Sequence, residues 1–332
     1  MSVYIIAEAG VNHNGNLDLA LKLCDAAKEA GVDAVKFQTW KTENIVTASA
    51  RQAAYQTENT GVEESQYDML KKLELSYDHF RYIQEYCKKI GIDFLSTPDE
   101  EESLEFLVSL GLPFIKVGSG EVTNIPYLRK IGSCRKPVIL STGMSNIAQV
   151  ALAYDTLLQA GADGVSLLHC TTNYPCPMDE VNLKAMVTLR DAFKCHVGYS
   201  DHTMGTEVPV AAVALGAEII EKHFTLDRTM EGPDHKASLE PTELKLMVQQ
   251  IRNIEAALGD GIKRPNKSEA ENAKVVQKSI LAKCPIKKGE LLTEDKLTVK
   301  RAGAGISASL WDSVVGAPAV KDFEIDEPIK LF

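Results

Sequence analysis

Eight short apolar runs, each closed by a small group of polar residues, constrain this chain more than any other feature. They span 3–7, 34–37, 93–95, 114–117, 138–140, 166–168, 196–199 and 218–220, and are rich in Val, Ile, Leu and Phe. Runs this short and this continuously apolar read as strands buried on both faces, as in a parallel sheet. Helical spacing fills most of the gaps. Leu17, Ala20, Leu21, Cys24, Ala27 and Lys28 trace one helix face, with Asn16 or Asp18 as its cap and Gly31 as its stop. Stretches 146–161, 182–193 and 241–258 behave alike.

Strand and helix alternating eight times within about 260 residues predict an α/β fold, a (β/α)8 TIM barrel. An open doubly wound sheet is the rival, but no nucleotide-binding glycine motif accompanies it. Gly118-Ser119-Gly120 lacks a third glycine, and Gly303-Ala304-Gly305 is equally incomplete. The pattern changes near Gly259-Asp260-Gly261 and becomes short and turn-rich beyond Lys278. The expected organisation is a barrel over 1–262, a linker over 263–277 and a small β-rich module over 278–332. A module that small has little core of its own and should pack on something larger. The polar insert 41–75 follows the second run and reads either as a lid or as a solvated excursion.

Charge narrows the function. The formal net charge is −10, so a nucleic-acid partner is not expected. An anionic small molecule remains open, because a few local cations offset a negative background. Seven scattered cysteines without a C-x-x-C pair read as structural thiols in a reducing compartment. No apolar run is long enough to span a bilayer, and the N-terminal run lacks the features of a secretory signal. A soluble, cytoplasmic protein with no membrane partner is the expectation.

In a closed barrel the strand ends project into one volume. They carry Glu8, Lys36, Gln38, Thr97, Lys116, Ser119, Glu121, Ser141, His169, Tyr174, Ser200, Asp201, His202, Glu221 and His223. Lys36 and Lys116 sit inside apolar strands, where a bare ammonium is costly, so partners are required. Three uses are open: an anion cradle with Ser119, Ser141 and Ser200, a Schiff-base amine, or ion pairs with Glu8, Glu121 or Glu221 for structure alone. His202 and His223 close adjacent strands and read either as an open metal site or as structural or acid groups. As a metal site, two nitrogens with oxygen donors suit Mn²⁺ or another divalent ion acting as a Lewis acid. Glu8, Glu121 and Asp234 are candidate sugar ligands or acid–base groups.

Taken in order, these segments resemble one known family. Glu8-Ala9-Gly10-Val11-Asn12-His13-Asn14-Gly15, Val35-Lys36-Phe37-Gln38-Thr39, Ser96-Thr97-Pro98, Lys116-Val117-Gly118-Ser119-Gly120-Glu121, Ser141-Thr142-Gly143-Met144, Ser200-Asp201-His202-Thr203, Glu221-Lys222-His223-Phe224-Thr225 and Gly232-Pro233-Asp234 together resemble the N-acetylneuraminate (sialic acid) synthases. The tail around Lys300-Arg301-Ala302-Gly303 resembles that family's antifreeze-like SAF domain. The segments 232–241 and 181–186 look most like the bacterial legionaminic acid synthase branch.

The resemblance implies a transferase that condenses phosphoenolpyruvate with an N-acetylated mannosamine-type sugar and releases phosphate. The sugar would be 2,4-diacetamido-2,4,6-trideoxymannose or N-acetylmannosamine. It implies Mn²⁺ on His202 and His223, and catalytic roles for these two with Glu8 and Glu121. Phosphoenolpyruvate would be held by Lys36, Thr97, Lys116, Ser119, Ser141 and Ser200. The sugar would be held by Gln38, Tyr174, Asp234 and Arg301, the last reaching the barrel of a second subunit in a domain-swapped homodimer. Where the family carries a phosphate-binding asparagine this chain has Thr172, with Asn173 one place later.

Overall fold

Seven of the eight strands run past the points at which the apolar runs stop. In the computed structural model, which describes residues 2–53, 56–57 and 60–332, the first strand is β1 (Tyr4–Gly10). Next come β2 (Ala34–Thr39), β3 (Asp93–Pro98) and β4 (Ile115–Val117). β5 (Val138–Ser141), β6 (Val165–His169), β7 (Val197–Asp201) and β8 (Ile219–His223) complete the set. All are parallel, in the ladder order β3-β2-β1-β8-β7-β6-β5-β4. The two end strands, β3 and β4, lie side by side, so the sheet wraps into a TIM-like barrel. Polar residues extend the strands because they point inward, where the backbone ladder still continues.

Period-2 alternation then sorts every strand. One set of side chains (Ile6, Ala34, Leu95, Ile139, Leu168 and Ile219, with Tyr4 and Phe114) meets inside the barrel as an apolar plug. The residues two positions on from Ile6, Ala34, Leu95, Ile139 and Ile219 are Glu8, Lys36, Thr97, Ser141 and Glu221. A charged layer therefore sits directly above the plug. The other set, including Val35, Phe37, Leu140, Val197, Tyr199 and Ile220, faces the helices and forms the main core. The first helix begins and ends where its sequence says it should. Asn16 accepts the Leu19 amide at the start of the helix Leu17–Ala30, and Gly31 closes it with φ +83°.

One outward pair breaks the apolar rule. Lys222 and Asp201 face each other across β7 and β8, both wholly buried, with Nζ 2.5 Å from Oδ2. Lys222 Nζ also donates to the Thr203 carbonyl, while Asp201 Oδ1 accepts from the Thr203 amide and hydroxyl.

The insert after β2 is anchored at its far end. Met69 and Leu73 of the helix Gln66–Leu73 pack with Val11 and Trp40, and the Lys72 carbonyl lies where a side chain on Gly15 (φ +68°) would go. That part is not a solvated excursion; four residues of the insert, 54, 55, 58 and 59, lie outside the described residues.

His13 and His235 lie behind the site loops. His13 is fully buried and Nδ1 accepts the Gly15 amide. Burial, with the nearby His235 adding to it, pushes the His13 imidazole down to about 4. An unfolded His13 binds a proton below its ordinary 6.5 whereas the folded one refuses it until about 4. Stability should therefore fall by about 3 kcal/mol as pH drops through this window. Urea midpoints at pH 7 and pH 4.5 should show a smaller acid loss in His13→Gln than in the parent; equal losses would remove His13 as the cause.

Contacts divide the chain between Gly259 and Asp260. The second unit has its own core of Ile280, Ala282, Ile286, Leu292, Leu297, Val314, Ala319, Phe323 and Ile329. Its sheet pairs β9 (Lys278–Ala282) antiparallel with β10 (Leu297–Arg301). Among the described residues no helix is long and apolar enough to cross a membrane.

Candidate active site

The inward side chains above the plug, with the loops that follow them, line a cavity of about 180 Å³. Eleven of the fourteen residues to which the resemblance gives a site role meet there: Glu8, Lys36, Gln38, Thr97, Lys116, Ser119, Ser141, Tyr174, Ser200, His202 and His223. Glu121 and Asp234 are not among its lining residues. Glu121 lies in the turn after β4, where its carboxylate accepts from Asn124 Nδ2 at 2.7 Å. Asp234 is buried with Oδ2 3.8 Å from His223 Nδ1. Arg301 belongs to the second unit, at the exposed end of β10. The cavity also takes in Asp99, Glu221, Cys170, Thr172 and Met144.

Its floor is a layer of balanced charge. Lys36 Nζ lies 2.6 Å from Glu8 Oε2 and 3.7 Å from Glu221 Oε2, and it donates to Thr97 Oγ1 at 3.0 Å. Lys116 Nζ lies 3.4 Å from Glu221 Oε1 and donates to Ser141 Oγ at 2.8 Å. Ser200 donates to Glu221 at 3.0 Å, and Gln38 Nε2 to Glu8 at 3.2 Å. Burial works to raise the Glu221 carboxyl, but Lys116 and Lys36 outweigh it and hold it well below the usual range. At Glu8 burial wins over Lys36 and the carboxyl is raised. Burial also lowers Lys116, while Glu221 and Glu8 overcome it at Lys36. Lys36 is paired with Glu8, whereas Lys116 reaches its nearest carboxylate, the shared Glu221, only at 3.4 Å, so an arriving anion finds a buried ammonium with donor capacity beside serine hydroxyls.

The wall toward β5 and β6 is a hydroxyl and thiol cluster. Ser119 Oγ accepts the Gly143 amide at 2.9 Å and lies 3.2 Å from Cys170 Sγ. A side chain on Gly143 would collide with Thr172 Oγ1 at 2.2 Å, so glycine keeps this wall open. Thr172 Oγ1 is buried with no hydrogen-bond partner among the described residues, and Thr172 lines the cavity. Asn173 instead turns its Oδ1 to the Tyr174 amide. The polar group facing the cavity at this point of the loop is thus the threonine.

The opposite wall is aromatic and imidazole. His202 and His223 rings are 5.3 Å apart, and Tyr174 covers them at 4.1 and 5.3 Å. The Thr171 carbonyl, 2.7 Å from His202 Nδ1, can only accept, so that nitrogen carries the proton and Nε2 keeps its lone pair. Buried His223 Nδ1 has no hydrogen-bond partner among the described residues. Burial holds both imidazoles below their ordinary pKa, in the neutral form that ligates metals. These donors fit an ion held by two protein nitrogens and completed by water or substrate oxygen. Among the described residues no group of three or more His, Cys, Asp or Glu side chains could hold a metal.

Comparison with known proteins agrees with this geometry. The NeuB family profile matches residues 23–263 and the SAF domain profile residues 277–331. The N,N′-diacetyllegionaminic acid synthase of Campylobacter jejuni is 52% identical over 328 residues, 98% of each chain. That of Legionella pneumophila is 46% identical over 96% of this chain and 90% of its own. The solved N-acetylneuraminic acid synthetase of Leptospira borgpetersenii, a complex with citrate, superposes with a TM-score of 0.73 at 35% identity. It covers 82% of this chain and 91% of that one.

Proposed function

The chain belongs to the NeuB family, and on that footing we propose that it condenses phosphoenolpyruvate and water with 2,4-diacetamido-2,4,6-trideoxymannose to give N,N′-diacetyllegionaminate and phosphate. The observation that carries the reaction is the floor: two buried ammonium groups beside serine hydroxyls, built for a compact multivalent anion. The choice of acceptor rests on the two legionaminic acid synthases.

In this reading Lys36 and Lys116, with Thr97, Ser119, Ser141 and Ser200, hold the phosphate and carboxylate and fix the enol face. C3 of phosphoenolpyruvate forms a bond to the sugar's aldehyde carbon, and the aldehyde oxygen takes up a proton. Water adds at C2 and gives up a proton; the new C2 hydroxyl then loses its own proton to become the keto oxygen as the C2–O bond breaks and phosphate leaves with the electron pair. Glu8, raised by burial, and Glu121, likewise raised, are the groups poised to hold and release those protons. Gln38, Tyr174 and Asp234 orient the acceptor. His202 and His223 would hold a divalent cation such as Mn²⁺, which when bound supplies Lewis-acid polarisation of a carbonyl. Arg301 reaches the acceptor from a second copy, making the active form a domain-swapped homodimer.

Phosphate release tests the proposal. With Mn²⁺, phosphoenolpyruvate and the diacetamido sugar, the dimer isolated by sedimentation should release phosphate, and more slowly with N-acetylmannosamine. Chelation should abolish release and Mn²⁺ restore it, while His202→Ala should not respond to Mn²⁺. Full turnover in metal-stripped His202→Ala would sink the metal assignment, and phosphate release indifferent to the sugar would sink the reaction.

A further inference from the structure

Asp99 is the one cavity carboxylate that the proposed chemistry leaves without a task. It follows β3 directly and opens a run of four acids, Asp99-Glu100-Glu101-Glu102. Two of its neighbours are in use. Glu100 caps the helix Glu101–Ser109, its oxygens accepting the Glu102 and Ser103 amides at 2.7 and 2.9 Å. Glu101 pairs with Lys130. The Asp99 carboxylate makes no hydrogen bond or ion pair among the described residues, although it lines the cavity.

Its backbone, by contrast, is pinned on both sides. The Asp99 amide donates to the Thr39 carbonyl at 3.0 Å. The buried Tyr127 hydroxyl lies 2.9 Å from the Pro98 carbonyl and 3.0 Å from that of Glu100, bracketing Asp99. An unpaired carboxylate carried on a backbone this firmly held is placed for a ligand. The other two carboxylates of the lining, Glu8 and Glu221, are committed to the lysines.

The chemistry of the two substrates decides which one it serves. Phosphoenolpyruvate presents carboxylate and phosphate oxygens, which repel an ionised carboxylate and offer it no N–H. The sugar presents hydroxyl and amide donors. We propose that Asp99 is a specificity-determining residue for the acceptor, its carboxylate taking a hydrogen bond from an O–H or amide N–H of the sugar. This rests on the reaction assigned above. Burial pushes the group up to about 7, against Lys36 and Lys116, with Glu121 and Glu100 adding to the rise, so a donor in contact would relieve it.

Asp99→Ala and Asp99→Asn separate this role from a structural one, since the side chain supports no contact and both variants should melt with the parent. Asp99→Ala should raise the acceptor KM about 10- to 100-fold, the range of a hydrogen bond to a charged group. The phosphoenolpyruvate KM should stay within about twofold. Asp99→Asn, which keeps an oxygen but not the charge, should fall between. An unchanged acceptor KM, or equal loss for both substrates, overturns the assignment. If the parent enzyme releases phosphate without a sugar, or none with one, the reaction itself is wrong. Asp99 is then judged by calorimetric titration of the diacetamido sugar, with equal affinities for parent and Asp99→Ala overturning it.

Discussion

Replacing Lys116 by methionine should lower kcat/KM for phosphoenolpyruvate by about 10²–10³-fold, the usual cost of one preorganised donor to a reacting anion. The fold should survive, because Glu221 keeps Lys36 at 3.7 Å and the Ser200 hydroxyl at 3.0 Å. Methionine retains the length of the stem, so packing against the plug changes little. Steady-state kinetics with each substrate varied in turn checks this, and a loss confined to the sugar would contradict it. The rival use of Lys116 as a Schiff-base amine makes a separate forecast. Borohydride with substrate would then trap a covalent adduct, where an ion-pairing lysine gives none.

The second large effect is on stability and involves no substrate contact. Lys222→Met leaves Asp201 as a fully buried carboxylate whose remaining hydrogen-bond partner among the described residues is Thr203. Breaking a buried pair from one side costs about 3–5 kcal/mol. For a domain of this size that lowers the melting temperature by about 10 °C. Lys222→Met with Asp201→Asn should recover part of the loss, since no bare charge remains. A single variant that melts within a degree or two of the parent would show that the pair is dispensable. Because Ser200 and His202 flank Asp201, and Glu221 and His223 flank Lys222, the pair also holds four cavity residues in register.

The barrel was legible because buried strands and capped helices each leave a periodic trace, and eight strands and four helical stretches agree. Strand ends were misjudged in one direction, too short, because inward polar residues end an apolar run without ending the ladder. β1 continues through Glu8 to Gly10, and β8 through Glu221 to His223. The site was legible wherever a strand carried it. In the loops it was legible only in part: Ser119, Tyr174 and His202 line the cavity as expected, but nothing periodic marks Asp99 as facing it and Glu121 as turned to Asn124. Nor does composition separate Asp201, bound outward to Lys222, from the inward Ser200 beside it. The local signal that could have found Asp99 is its neighbour, since a Glu that caps a helix leaves the preceding acid free.

The plug and the charged layer occupy alternate turns of the same strands, and that ties two things which could otherwise vary apart. A one-residue insertion within a strand would exchange inward and outward faces beyond it and lose core and anion floor together. Thr97, Lys116, Ser141 and Ser200 therefore have no freedom to drift while the barrel persists. Asp99, Tyr174 and Asp234 stand on connections that can lengthen or be rewritten without disturbing a single ladder bond. A lineage built on this frame can trade one sugar for another by editing loops, and it inherits the enol donor unchanged.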